Sequence, residues 1–222
     1  PAIRAEPLAL SFPPPSSVRA AGVGAIGVTA PDAAITATSR RASSVLRLKS
    51  GELEKSALVT VPLRRTQGAS APVHRVVEFA KPILSTDRAA LRRAGVTVLD
   101  YLPDNAYLVA LDPGVDLAAL TAGGGVIWAW QPTAQSKMPR SLARGDWPDK
   151  ARRGGGAVGV HVTLFADVPL TDFRNALAAT GIEVGALQVR GRSQLELTIP
   201  PGQVFELAAM DTVKWLEPAY PD

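Results

Sequence analysis

The chain has 222 residues, 46% of them hydrophobic and 20% charged, a composition that suits one or two globular domains, and no apolar run approaches the roughly 18 residues needed to span a bilayer. The net charge of +4 is unevenly spread: residues 1–75 hold ten Lys/Arg against four Asp/Glu and the rest fourteen against sixteen, so the folded part carries no basic footprint for nucleic acid. Cysteine is absent, which excludes disulfide frameworks and thiolate metal sites.

Residues 1–44 are rich in Pro, Ala, Ser and Gly, as in Pro13-Pro14-Pro15-Ser16-Ser17, and show neither a helical nor a strand period; they read as a flexible leader. Residue 1 is a proline and no charged-then-apolar stretch opens the chain, so a secretion signal, had there been one, is expected to have been removed or left out, which says nothing against export. Residues 45–74 form a lead-in with two short apolar patches, Val45-Leu46-Arg47-Leu48 and Ala57-Leu58-Val59-Thr60-Val61, that suit edge strands or loosely attached segments.

From Arg75 the chain matches itself. Phe79 lines up with Phe165 at a shift of 86, and the same shift pairs Leu91 with Leu177, Gly95 with Gly181, Val98 with Val184 and Leu111 with Leu197; after one inserted residue Trp128 meets Trp215. Each copy reads strand, helix, strand, strand, helix, strand. In the first, strand 75–79 precedes a helix capped by Ser85 or Thr86 and ended by Gly95. Strands 96–101 and 107–111 flank the turn residues Pro103-Asp104-Asn105, a short helix covers 115–120, and strand 126–130 follows Gly123-Gly124-Gly125. The second copy predicts strand 160–165, a Thr171-capped helix to Thr180, strands 182–189 and 194–199, helix 204–209 and strand 213–216.

This order predicts an α+β chain of two tandem ferredoxin-like (βαββαβ) modules, each a four-stranded antiparallel sheet with two helices on one face, spanning 75–134 and 157–222. The other face of each sheet is expected to stay uncovered and to receive a partner. Residues 135–156, with Pro139, Pro148, Gly154-Gly155-Gly156 and many charges, read as an exposed linker.

Chemistry is sparse. The only histidines are His74 and His161; His161 lies within an alternating strand and His74 at a domain edge, and neither sits in a catalytic or metal-ligating pattern. No Gly-x-Ser-x-Gly elbow, no phosphate-cradling loop and no protease triad occurs, so the chain is expected to be non-catalytic and to need no metal or other cofactor. Tyr107 is the best base-stacking candidate, but its counterpart Ser193 cannot stack, and Trp128, Trp130 and Trp215 suit core or edge packing.

Tyr101-Leu102-Pro103-Asp104-Asn105-Ala106-Tyr107-Leu108-Val109 in the first copy and Val213-Lys214-Trp215-Leu216-Glu217-Pro218 in the second resemble the pro-regions of bacterial subtilisin-like (S8) serine proteases, including forms with two propeptide-like modules. Leu46-Arg47-Leu48-Lys49-Ser50-Gly51 resembles the lead-in to such modules. The resemblance implies a secreted or periplasmic chaperone and temporary inhibitor of a subtilisin-like catalytic domain joined in cis. It implies that an uncovered sheet face docks on two protease helices while the tail enters the substrate cleft. Glu217 holds the place of the acid that caps a protease helix. Pro218, Ala219, Tyr220, Pro221 and Asp222 are the expected cleft segment; Ala219 stands where single-module relatives commonly carry a second acid, and Gln131 replaces Glu217 in the first copy. Two alternatives stay open: a stand-alone inhibitor or interaction module acting in trans, and a ligand-binding regulatory domain pair.

Overall fold

The computed structural model describes residues 44–58, 71–116 and 125–220. The expected leader, the patch around Val59-Thr60-Val61, most of the helix expected at 115–120, and Pro221 and Asp222 lie outside the described residues. Alternating apolar residues produce antiparallel strands throughout, helices are few, and the fold class is mixed α+β. Ser43–Asp222 form one compact unit, and among the described residues no helix is long and apolar enough to cross a membrane.

In the first half, β3 (Val73–Phe79), β4 (Val96–Leu102), β5 (Ala106–Leu111) and β6 (Val126–Trp130) form a sheet of order β4-β5-β3-β6. Helix α1 (Ser85–Arg93) begins one residue earlier than its expected caps, because the Asp87 carboxylate accepts from the Leu84 backbone N–H at 2.9 Å. Gly95, at φ 78°, turns the chain out of α1; a Cβ there would stand 2.7 Å from Cγ2 of Val115. Asp104 and Asn105 hold left-handed conformations between β4 and β5, as short polar side chains tolerate.

Pleating sends Val77 and Phe79 into a core with Leu91 of α1, Tyr107 and Leu111, and sends His74, Val76 and Glu78 to the opposite face. That opposite face was expected to be open, yet it is covered. The hairpin β1 (Val45–Leu48) and β2 (Gly51–Glu54) contributes Leu46, and the second half contributes Phe165, to a cluster with Val76, Leu108 and Trp130. Lys55, in the turn after β2, places its ammonium 2.6 Å from the Glu78 carboxylate, with side chains 12% and 4% exposed. The first apolar patch, Val45–Leu48, thus supplies a lid together with β2, since Leu46 and Leu48 need cover and the face of β3 offers it.

The connection at 135–156 is not the exposed linker expected. Its short α2 (Arg140–Ala143) and flanking 3-10 turns bury Met138 and Leu142 in the second core and Ala151 beside it. Proline and glycine content signals irregular backbone, and irregular backbone still buries side chains placed four residues apart, as Met138 and Leu142 are.

In the second half, β7 (Val158–Leu164), β8 (Ala186–Gly191), β9 (Gln194–Ile199) and β10 (Val213–Pro218) form a sheet of order β10-β7-β9-β8. Counted within each half, both sheets therefore have the order fourth, first, third, second. Helices α3 (Leu170–Thr180) and α4 (Val204–Ala209) bury Phe173, Leu177, Val204 and Leu207 against Val160, Val162, Leu164 and Leu197, so both lie on one face. Thr171 is not the cap of α3, whose N-terminus follows Pro169; Pro169 accepts the first intrahelical bonds through its carbonyl. Residues 182–185 are not strand as expected: Ile182 turns into the helix-side core and pairing begins at Ala186.

The internal match also needs correction at the first strand. Val77 pairs across β6 with Ala129 as Val162 pairs across β10 with Leu216, a shift of 85, whereas Arg75 pairs across β5 with Val109 as Val162 pairs across β9 with Leu195, a shift of 87; neither is the expected 86. A one-residue slip exchanges faces. Phe79 accordingly belongs to the helix-side core, whereas Phe165 lies beyond the end of β7 and packs on the free face of the first sheet.

Candidate functional site

Two groups of polar residues stand out: the solvent-side face of the second sheet, and the joint between the halves. On the second sheet, strand alternation sets His161 and Thr163 of β7, Glu196 and Thr198 of β9, and Trp215 and Glu217 of β10 on the face opposite α3 and α4. Glu196 lies near its centre. Its carboxylate accepts from Nη2 of Arg190 at 2.6 Å and Nη2 of Arg153 at 3.3 Å, with Nε2 of His161 at 3.8 Å. Burial alone would raise its pKa, but the two guanidinium groups outweigh that and hold it below the usual carboxylate range. Arg153 also donates to the Ala219 carbonyl at 3.1 Å, tying the connection to the end of the chain. Gly159 leaves room for this guanidinium: a Cβ there would stand 2.5 Å from an Arg153 nitrogen.

Glu217 sits opposite His161 at the β10 edge. Its carboxylate accepts from Nζ of Lys49 at 2.9 Å and Nε1 of Trp215 at 3.0 Å, and Lys49 also lies over the Trp215 ring, 4.6 Å from the centroid. The hydrogen bond from Lys49 holds the Glu217 pKa below its usual range, against a smaller opposing effect of burial. The side chain is 46% exposed and can be approached from solvent.

The structure describes three residues of the expected cleft segment, Pro218, Ala219 and Tyr220. Pro218 pairs with Val160, and Ala219 is fully buried, its N–H donating to the Gly159 carbonyl at 2.9 Å. Both belong to the sheet. Tyr220, 49% exposed, is the first residue to leave it, and Pro221 and Asp222 lie outside the described residues.

The joint holds the group that sequence reasoning missed. His74 is buried with its ring stacked on Phe165, centroids 3.8 Å apart and planes within 4°. Nδ1 lies 2.6 Å from Oδ2 of Asp211 and Nε2 lies 3.1 Å from Oδ1 of Asp167, while the His74 backbone N–H donates to the same Asp211 carboxylate at 3.0 Å. Two carboxylates can both accept only if both ring nitrogens carry protons, so the geometry selects the imidazolium. Burial opposes the charge, yet the hydrogen bonds and charges of Asp167 and Asp211 prevail and raise the His74 pKa. For Asp167 burial likewise acts upward and is outweighed by His74, leaving its pKa lowered. With both nitrogens occupied, the ring has none left to act as a general base. The only sequence signal was the adjacency of Asp211 and Asp167 to strand ends, and nothing in the spacing joined them to His74.

Against known proteins, a family described as a domain of unknown function (DUF8729) matches residues 47–133, less than half of the chain. The matched stretch runs from within β1 to just past β6 and so takes in the hairpin together with the sheet it covers. No curated protein matches the chain, and no solved structure does.

Proposed function

We propose that the chain is a tandem pair of ferredoxin-like modules serving as the pro-region of a secreted subtilisin-like serine protease, with the second module making the inhibitory contact. The observation that carries this reading is the second sheet. Its helices crowd one face, its opposite face is largely polar and presents the half-exposed Glu217, and its last strand leads through Glu217 to the exposed Tyr220. A face of that kind gives a partner shape and hydrogen-bonding groups without a disordered segment to order on binding. The first sheet offers no such face, because its own hairpin and Phe165 cover it; the first module is a platform that holds the second.

On this reading Glu217 exchanges Lys49 for the free N–H groups at the N-terminus of a protease helix. Refolding a denatured subtilisin-like catalytic domain with and without the chain tests the chaperone role: a higher yield of active protease with it is expected, and equal yields refute it. Inhibition tests the contact. Glu217→Gln is expected to weaken it by about 1 kcal/mol, roughly fivefold; an unchanged inhibition constant removes Glu217 from the interface.

A further inference from the structure

Among the described residues, His74 is the one point at which a buried ionisable side chain of the first half is held by two acids of the second. Asp167 reaches it from the loop after β7, and Asp211 from the loop between α4 and β10. The other charges around it are accounted for. Arg75, on the same strand, donates to the His74 carbonyl at 2.7 Å and lies 3.5 Å from Asp211. Lys137, in the connection, donates to the Met210 carbonyl at 2.8 Å and feels the charges of Asp211 and Arg75. Glu78, on the same face, is neutralised by Lys55, and β5, paired alongside, carries only uncharged residues. A half-open pocket of about 140 Å³ adjoins Val76, Leu108, Trp130 and Phe165, the ring on which His74 stacks.

We propose that His74 is a pH-dependent latch between the two halves: as the imidazolium it grips Asp167 and Asp211, and on losing its proton it releases one of them and the halves separate. A neutral imidazole has a single N–H, so one carboxylate must then face a ring lone pair. Separation uncovers Phe165 and the part of the Val76, Leu108 and Trp130 cluster that it covers, while the hairpin residue Leu46 stays in place. The latch acts whether or not the chain binds a protease.

The sign follows from linkage. The folded His74 pKa is raised, so its hold is complete below about 6.5, the unfolded value, and is lost as pH rises through the folded value. The Asp167 pKa is lowered, so its contribution is present above its ordinary value of 3.8 and lost as pH falls through the folded value. Lys137 acts oppositely at higher pH: burial lowers its pKa to about 8, and its penalty is relieved as pH rises from there. The latch is tightest between about pH 4 and 6.5.

The test is a titration of both imidazoles by NMR on the full chain, with His161→Gln assigning the signals, alongside thermal unfolding midpoints from pH 5 to 9. The His74 signal is expected to titrate above 6.5, the midpoint to fall across the same span, and the His74 amide proton to lose protection with it. Each pH unit of displacement corresponds to about a tenfold change in the closing equilibrium. His74→Gln is expected to flatten the slope; should it not fold, Asp167→Asn is expected to lower the His74 titration and reduce the slope. Titration of His74 at or below the ordinary value, or a slope that survives His74→Gln or Asp167→Asn, overturns the latch.

Discussion

Arg153 holds three parts of the molecule at once: it donates to the Lys150 carbonyl in the connection, to Glu196 on β9 and to the carbonyl of Ala219 at the end of the chain. It can lie flat on β7 only because residue 159 lacks a side chain. Gly159→Ala should therefore displace the guanidinium and cost what its charged hydrogen bonds contribute, about 1.5–3 kcal/mol. Arg153→Ala should cost a similar amount, and the double variant little more than either, because both remove the same contacts. Urea denaturation of the three variants checks this; additive losses would show that Gly159 acts independently of Arg153. Glu217, by contrast, is half exposed, and Glu217→Gln should change stability by no more than about 1 kcal/mol, which leaves it clean for binding measurements.

At the scale of elements, the hairpin β1–β2 is a lid whose two sides differ in weight. Leu46 is buried under it, and Leu46→Ala should cost about 2–5 kcal/mol. The exposed Arg47–Glu52 pair on its outer side, 3.0 Å apart, should yield less than about 1 kcal/mol when Arg47 becomes Ala. Lys55→Met should be severe, about 3–5 kcal/mol, because it strands the Glu78 carboxylate in a buried site. Adding Glu78→Met should recover much of that loss, and denaturation midpoints of the single and double variants decide it. Strand patterning announced most of these elements: β6, β9 and α4 fall at the expected residues, and the remaining strands differ from expectation mainly at their ends. The lid was not legible, because the four-residue apolar patch Val45–Leu48 gives no sign of the surface it will cover and Gly51–Glu54 carries a single large apolar residue. The buried connection escaped for a related reason: Met138 and Leu142 are too few to make a period, yet sufficient to anchor a chain already tethered at both ends.

For the whole molecule, the cluster of Leu46, Val76, Leu108, Trp130 and Phe165 draws on the hairpin, the first sheet and the second half together. With Lys214 of β10 also reaching Asp100 of β4 at 2.8 Å, the described parts should unfold as one at pH 6. Tryptophan fluorescence and far-UV circular dichroism are expected to give coincident transitions there; separate midpoints would mean that the halves are energetically independent. The alternating strands and the internal match conveyed the common order of the two sheets. They conveyed nothing of the joint, since the Phe165 register is decided by a single residue of slip and the His74 partners come from distant loops.

Asp211 lies 137 residues beyond His74 in the chain. At about 5–20 residues per second of translation, roughly 7–27 s pass between the emergence of the histidine and that of Asp211, the later of its two counter-charges. A nascent first half must spend that interval with its hairpin in place but its far corner bare, so a ribosome stalled before residue 211 exposes an apolar patch that the finished polypeptide conceals.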